Sequence, residues 1–434
     1  MKKSKKPSTS PAVPASQVVA KKRPPYFPVL LFLVVVTTAL IILEIFARTM
    51  VYGQGLYLKQ IDEPHYSKLF QQDPPYQFQK NFYQDAISYG WAQTPDNEGV
   101  FRGFSYPTAE FRTPVKINSQ GFRGDEQSVP EDRLRVAVLG DSFVQALQVR
   151  EEETLSRVLE RELTGGGVAA RAYNFGISST GTAHQYRLFF GEVLKVRPNA
   201  VVLMFFPNDL RDSSPDYAHE DDSLIPAFST AEDGKIIVDD FTGTPGRQTI
   251  SYAFPVAEGK GYWQDVASDL KVFSENFKAA VFPKFLFFFI KERFGPKHDY
   301  DAPFDVYKKE YPEPLKESLR ITAGLIRQID AYCKTQGIKF VVVLVPAKEQ
   351  VHPEIWSQYV DARKEILNSN DFDLGMPNVV IKGALEGSDV PVLDLLPAFK
   401  EAAGQDSLYY KKDLHFNVKG HEKAGRLVAE FLKK

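Results

Sequence analysis

Gly140-Asp141-Ser142-Phe143 follows directly on the short apolar run 134–139, so a serine hydroxyl stands just past a β-type segment. Open α/β sheets place their reacting groups at the C-terminal ends of parallel strands. A second pair, Asp413-Leu414-His415, lies far downstream. A serine becomes a nucleophile when a neighbouring base takes its proton, and an imidazole oriented by a carboxylate can do so. Two further positions carry groups suited to acyl transfer. Tyr173-Asn174-Phe175-Gly176 puts a glycine past a second apolar run, where a backbone N–H can approach a reacting oxygen without an intervening side chain. Phe206-Pro207-Asn208-Asp209 puts an amide side chain past a third.

These positions need strands that end together. From residue 131 the chain alternates strand and helix patterns. Candidate strands are 134–139, 170–175, 200–206, 339–345 and 390–393, short apolar runs without alternation, as strands covered on both faces require. Helical patterns occupy 154–163, 181–196, 314–336 and 419–432, with Gly337 as the C-cap of the third. The expected fold is α/β: a three-layer α/β/α sandwich around a parallel, flavodoxin-like five-stranded sheet. Residues 211–313 interrupt the rhythm after the third strand and are too long for an ordinary loop. Over the strand tips they would form a lid or substrate wall; the apolar run 282–290 within them reads better as a cover for the sheet.

In these motifs the sequence resembles the SGNH (GDSL-type) hydrolases, from about residue 133 onward without the insertion. The resemblance implies that Ser142 is the nucleophile, His415 the base and Asp413 the acid. It also implies an oxyanion hole made by the Ser142 and Gly176 N–H groups and the Asn208 amide. Two departures stand out. Phe206 replaces the glycine of the family's Gly-x-Asn-Asp, and the usual Asp-x-x-His is shortened to Asp413-Leu414-His415, with Lys412 at the aspartate position. Residues i and i+2 of an extended segment project to one side about 6.5 Å apart, so a carboxylate there can still reach the imidazole. The compact form is similar to that of the alginate O-acetyltransferase-like branch of the superfamily. Among the other histidines, His421 is expected to cap or pack at the last helix and His184 to be half buried. Asp141 and Asp209 are expected to hold their loops by hydrogen bonds.

The N-terminus reads differently. Seven Lys and Arg and no acid fall in residues 1–25, whose Ser/Pro/Ala content cannot build a core. The remainder is more acidic than the overall charge of −2 suggests, which argues against nucleic acid as a partner. From 29 to 43 nothing is charged, and twenty residues at helical rise span about 30 Å, the hydrocarbon thickness of a bilayer. The basic cluster ahead of it keeps the N-terminus cytoplasmic. The expected organisation is a disordered basic tail (1–25), a transmembrane anchor (26–47), a spacer with a small β elaboration (48–130) and a hydrolase domain (131–434). The single cysteine, Cys333, is assigned to the core. No zinc-type spacing is present, and the acidic run 219–222 reads as a solvated loop, so no metal or cofactor is expected.

The expected function is an inner-membrane-anchored esterase facing the periplasm, or otherwise outside the cytoplasm, that removes acetyl or similar groups from envelope or exported glycans. The alternatives are an O-acetyltransferase of a cell-surface polysaccharide using the same serine, and a non-catalytic anchored scaffold.

Overall fold

Residues 76–117 form five short strands: β1 (Tyr76–Phe78), β2 (Tyr83–Ala86), β3 (Gly90–Gln93), β4 (Asn97–Arg102) and β5 (Arg112–Ile117). β2 and β3 make a hairpin, while β1, β4 and β5 make an antiparallel sheet. Side chains of β5 alternate exposed and buried, the period of a strand with one wet face. The turn after it is tied by Asn118 Oδ1, which accepts the Gln120 and Phe122 N–H groups at 3.0 and 2.9 Å. That turn sends Arg123 into the interior, where it is 3% exposed.

The main domain then runs β6 (Leu134–Gly140), α1 (Ser142–Gln145), α2 (Leu155–Gly165), β7 (Ala170–Gly176), α3 (Thr182–Gly191), β8 (Ala200–Phe205) and α4 (Asp209–Asp212). A hairpin of β9 (Ile225–Thr230) and β10 (Ile236–Thr242) precedes α5 (Glu313–Thr335) and β11 (Lys339–Leu344). Next come α6 (Lys348–Val351), α7 (Pro353–Ala362), α8 (Met376–Leu385), β12 (Val392–Asp394), α9 (Leu396–Ala402) and α10 (Val418–Leu432). The five-stranded sheet has the order β12-β11-β8-β6-β7, parallel throughout. Connections leave β6 toward one edge and β8 toward the other. The switch point therefore lies between β6 and β8, where such sheets open a crevice at their carboxyl ends.

Alternate residues of each strand feed two apolar layers. Val136 and Val138 of β6 pack with Leu155, Leu159 and Leu163 of α2 and with Ala424 and Val428 of α10. Ala137 and Leu139 face the other way, toward Leu188 and Phe189 of α3 and Leu315, Ile326 and Ile329 of α5. That second layer also takes Phe82, Trp91, Phe101, Ile117 and Phe122, so the β elaboration and the sheet share one core. Cys333 is buried there. Gly337, just past α5, takes φ +65, the left-handed conformation that ends a helix.

The structure, a computed structural model, describes residues 32, 35–39, 42, 76–86, 88–103, 109–213, 225–230, 236–242, 302–362, 368–404 and 407–434. The tail 1–25, the spacer up to residue 75 and the runs 219–222 and 282–290 lie outside these. Of the segment 26–47 only residues 32, 35–39 and 42 are described; they are helical. Among the described residues no helix is long and apolar enough to cross a membrane. The described residues of the 211–313 insertion are 211–213, the β9–β10 hairpin, which lies on the helix layer, and 302–313, which hold a 3-10 turn (Ala302–Tyr307) and the start of α5. In the hairpin Phe228 packs with Ala183, Ile321 and Leu325, under the Arg187 guanidinium at 5.6 Å.

Three elements differ from the sequence reading. The helical stretch 181–196 breaks at Glu192 into α3 and a 3-10 turn, Val193–Val196. Helices α7, α8 and α9 appear in 353–402, where each is too short to show a sustained period. His184 is fully buried rather than half buried, with its ring 4.4 Å from that of Trp91.

Candidate active site

β6 ends at Gly140 and the chain turns at once into α1. Asp141 caps that helix: its Oδ1 accepts the Phe143 N–H at 2.9 Å. Ser142 is then the first helical residue, and its N–H has no intrahelical acceptor. The short helix closes at Ala146 in the left-handed conformation (φ 56), with the Ala146 N–H donating to the Ser142 carbonyl at 2.8 Å. Arg123 binds carbonyls of this closure and of the turn that follows it. Its guanidinium donates to the Gln145 carbonyl at 3.0 Å, to Val149 at 2.5 Å and to Ala146. Burial lowers its pKa to about 10, with Glu151 partly offsetting the fall.

The partner groups come from the loop between Ser407 and Asn417. His415 Nε2 lies 2.8 Å from Ser142 Oγ, and its Nδ1 lies 2.6 Å from Asp413 Oδ1. The same carboxylate oxygen accepts the His415 backbone N–H at 2.9 Å. One oxygen thus fixes both ring and main chain, which is how the two-residue spacing works. Burial alone would raise the Asp413 carboxyl, but the hydrogen bonds and charge of His415 hold it below the usual carboxylate range, with help from Lys348. With Nδ1–H donated to Asp413, Nε2 is the acceptor facing the hydroxyl. Asn417 secures the loop, taking the Lys419 and Gly420 N–H groups as the N-cap of α10 and donating to the Ser407 and Tyr409 carbonyls at 2.7 and 3.0 Å. Against the ring of His415 lies Phe143, 5.0 Å away, with Phe206 4.4 Å beyond it. Phe206 therefore packs on the aromatic that supports the imidazole.

Gly176 sits beside Gly140 in the sheet register. A Cβ built there would collide with the Gln145 nitrogen and the Val144 carbonyl carbon, so the glycine lets α1 pack on β7. Its one N–H donates to Asn174 Oδ1 at 2.9 Å, while Asn174 Nδ2 donates to the Val144 carbonyl at 2.7 Å. The resemblance implies that this N–H faces a reacting oxygen; here Asn174 Oδ1 accepts it. Asn208 stands past β8 and is half-buried. Its amide donates to Asp212 Oδ2 at 2.8 Å, and its side chain also hydrogen-bonds the Asp141 carboxyl.

Two carboxyls lie beneath these groups. Burial pushes Asp141 up to about 6, partly countered by the Phe143 N–H and by His415. Burial, with Asp141 and Asp212 adding, raises Asp209 well above its ordinary value. His421, in α10, is driven down to about 3 by burial, so its ring is neutral near pH 7. Among the described residues no group of three or more His, Cys, Asp or Glu side chains is arranged to hold a metal ion. The sequence reading missed Arg123, Asn174 and Lys348. Asn174 stands in the motif read only for Gly176, Arg123 and Lys348 sit in none, and all three act on backbone carbonyls.

Residues 307–434 match a family model described as "SGNH hydrolase-like domain, acetyltransferase AlgX". The matched stretch contains Asp413 and His415 but not Ser142, Gly176 or Asn208. No curated protein matches the sequence. Solved structures similar to this chain include a lipase/acylhydrolase from Enterococcus faecalis, 14% identical, covering 69% of this chain and 95% of that one at a TM-score of 0.33. A catalytic mutant of the acetylxylan esterase Axe2 from Geobacillus stearothermophilus is 13% identical and covers 70% and 95% at 0.34. TesA is 11% identical and covers 69% and 98% at 0.34.

Proposed function

We propose that the protein is a serine esterase that removes acetyl or similar short acyl groups from glycans of the cell envelope or exported glycans. The single observation that carries this is the unbroken chain Ser142 Oγ–His415–Asp413, with contacts of 2.8 and 2.6 Å. His415 takes the hydroxyl proton as Oγ attacks the ester carbonyl, and Asp413 stabilises the imidazolium that forms. The imidazolium then protonates the departing sugar oxygen as its bond to the acyl carbon breaks, releasing the hydroxyl. Water, deprotonated in turn by His415, attacks the acyl-serine and releases the acid. The oxyanion is held by the Ser142 N–H and the Asn208 amide, which turns from Asp212 and Asp141 to reach it, with Gly176 seating α1 beside them.

Anchoring belongs to the same proposal and rests on sequence alone. The uncharged run 29–43 behind a basic tail ties the chain to the inner membrane, with residues past 48 outside the cytoplasm. An acetylated glycan passing the membrane surface is then within reach of the cleft.

Substituting Ser142→Ala should lower hydrolysis of an acetylated oligosaccharide and of an activated acetyl ester by about 10⁴-fold or more. Hydrolysis at the wild-type rate would overturn the assignment. A second reading draws on the match to a model described as an acetyltransferase: the acyl-serine is resolved by a sugar hydroxyl instead of water. Mass spectrometry of a glycan acceptor incubated with an acetyl donor separates the two, since gain of acetyl groups marks transfer and their loss marks hydrolysis.

A further inference from the structure

The loop that presents Asp413 and His415 has no regular secondary structure from Lys411 to Asp413, yet its peptide groups are bound from two sides. On one side Glu110, carried by the β elaboration just ahead of β5, accepts three successive backbone N–H groups. Its Oε1 takes Lys411 at 2.8 Å, and its Oε2 takes Lys412 at 2.7 Å and Asp413 at 2.8 Å. On the other side the Lys348 ammonium of α6 donates to the Tyr410 carbonyl at 2.7 Å and the Lys411 carbonyl at 2.8 Å. An anion thus holds the N–H edge and a cation the carbonyl edge of the same four residues. Phe111, next to Glu110, adds an aromatic contact, its ring 4.8 Å from that of Tyr410. Tyr410 in turn donates its hydroxyl to the Gln148 carbonyl at 2.9 Å, in the segment following α1.

These bonds are charge-assisted, about twice as strong as neutral ones. Their directions fix the peptide planes that aim the Asp413 side chain. A free bend of this kind must give up conformational freedom to be ordered, and a misplacement of about 1 Å at a reacting group can cost about 10²-fold in rate. We propose that Glu110, opposed by Lys348, is a positioning residue for the acid–base pair, so that the β elaboration forms part of the catalytic apparatus. This rests on the serine reading above, with Asp413 and His415 as acid and base. The carboxylate holds Asp413 where one of its oxygens can take both N–H groups of His415. The elaboration also carries Arg123, which holds α1. One small sheet therefore grips both the nucleophile and the base.

The test uses the full chain with Glu110→Ala, Glu110→Gln and Lys348→Met. Glu98→Gln, on an exposed stretch of the same elaboration, serves as control. Glu110→Ala and Lys348→Met should lower kcat by about 10–100-fold while KM stays within about twofold. Labelling of Ser142 by a serine-directed phosphonate should slow in step. Glu110→Gln, nearly isosteric but unable to accept all three N–H groups, should fall between Glu110→Ala and wild type. The downfield Nδ1 proton signal of His415 should broaden in Glu110→Ala and persist in Glu98→Gln, and added formate should restore part of the Glu110→Ala rate. Wild-type kcat in Glu110→Gln together with wild-type kcat in Glu110→Ala would overturn the inference, as would a loss confined to KM. If Glu110→Ala does not fold, Glu110→Gln decides alone, and wild-type kcat in it overturns the inference. A wild-type protein whose phosphonate labelling does not depend on Ser142 would overturn the serine reading itself, a result distinct from active wild type with indifferent Glu110 variants.

Discussion

Asp413 Oδ1 accepts two N–H groups of one residue, so the orientation of the imidazole is decided within three positions of the chain. A four-residue Asp-x-x-His spacing is not needed when acid and base share an extended stretch. The hydroxyl end is less local, because Ser142 must be met by donors from other strands. The Gly176 N–H expected from β7 is held by Asn174, and the Asn208 amide expected from β8 bonds Asp212 and Asp141 but sits on a side chain that can turn toward an oxyanion. Asn208→Ala should therefore lower kcat on the order of 10²–10³-fold with little change in KM, measured on an activated acetyl ester. An unchanged kcat would take Asn208 out of the proposed oxyanion site. The motif residues are legible in the sequence because each abuts an apolar run and carries a distinctive side chain. Gly176 is legible as a position that demands glycine, but the neighbour that demands it is the backbone of α1. Nothing in the letters says which of two close approaches a glycine serves.

Adjacent parallel strands deliver adjacent residues, and β6 and β8 deliver two carboxyls. Asp141 caps α1 at the tip of β6, and Asp209 opens α4 at the tip of β8. Both are buried, and both hold their protons more tightly than an exposed carboxyl does. A carboxyl whose folded pKa lies above its unfolded value binds more protons when folded. The stability it contributes is fully present below about pH 4 and is lost as pH rises through about 6. Asp141→Asn keeps an oxygen for the Phe143 N–H and removes the charge. Its melting temperature should exceed that of the wild type above about pH 6, by an amount on the order of a few kcal/mol in stability, and the gap should close toward pH 4. A gap independent of pH would show that the carboxyl does not titrate in this window. The strands and long helices of the main domain are legible because each is a sustained apolar period. Of the β elaboration only β5, an alternating extended run, is legible; β1 to β4 are not, because they are three to six residues long and rich in Gln, Gly and Tyr.

Residues 76–125 and the sheet bury one continuous apolar layer. Polar ties repeat the pattern: Gln93 donates to the Gly176 carbonyl at 3.0 Å and Trp91 to the Ser178 carbonyl at 3.0 Å. A boundary at residue 130, natural from composition, cuts through this layer. A chain beginning at residue 131 should not fold cooperatively, whereas one beginning at residue 74 should keep the kcat of the full protein. Urea denaturation and ester hydrolysis of the two chains check this, and a cooperative, active 131–434 fragment would show the elaboration to be dispensable. Such long-range dependence leaves no mark in a sequence read a window at a time. Glu110 and Lys411 are 301 positions apart, and the acceptor and donors involved are a common side chain and anonymous main chain.

The proposed base lies 273 positions after the proposed nucleophile. At a ribosomal pace of about 5–20 residues per second, His415 is made roughly 14–55 s later than Ser142. Throughout that interval the hydroxyl is attached to a chain that lacks its proposed base. On this proposal a ribosome-bound or prematurely released polypeptide is inactive, and hydrolytic competence arrives in one step once the loop ahead of α10 has closed.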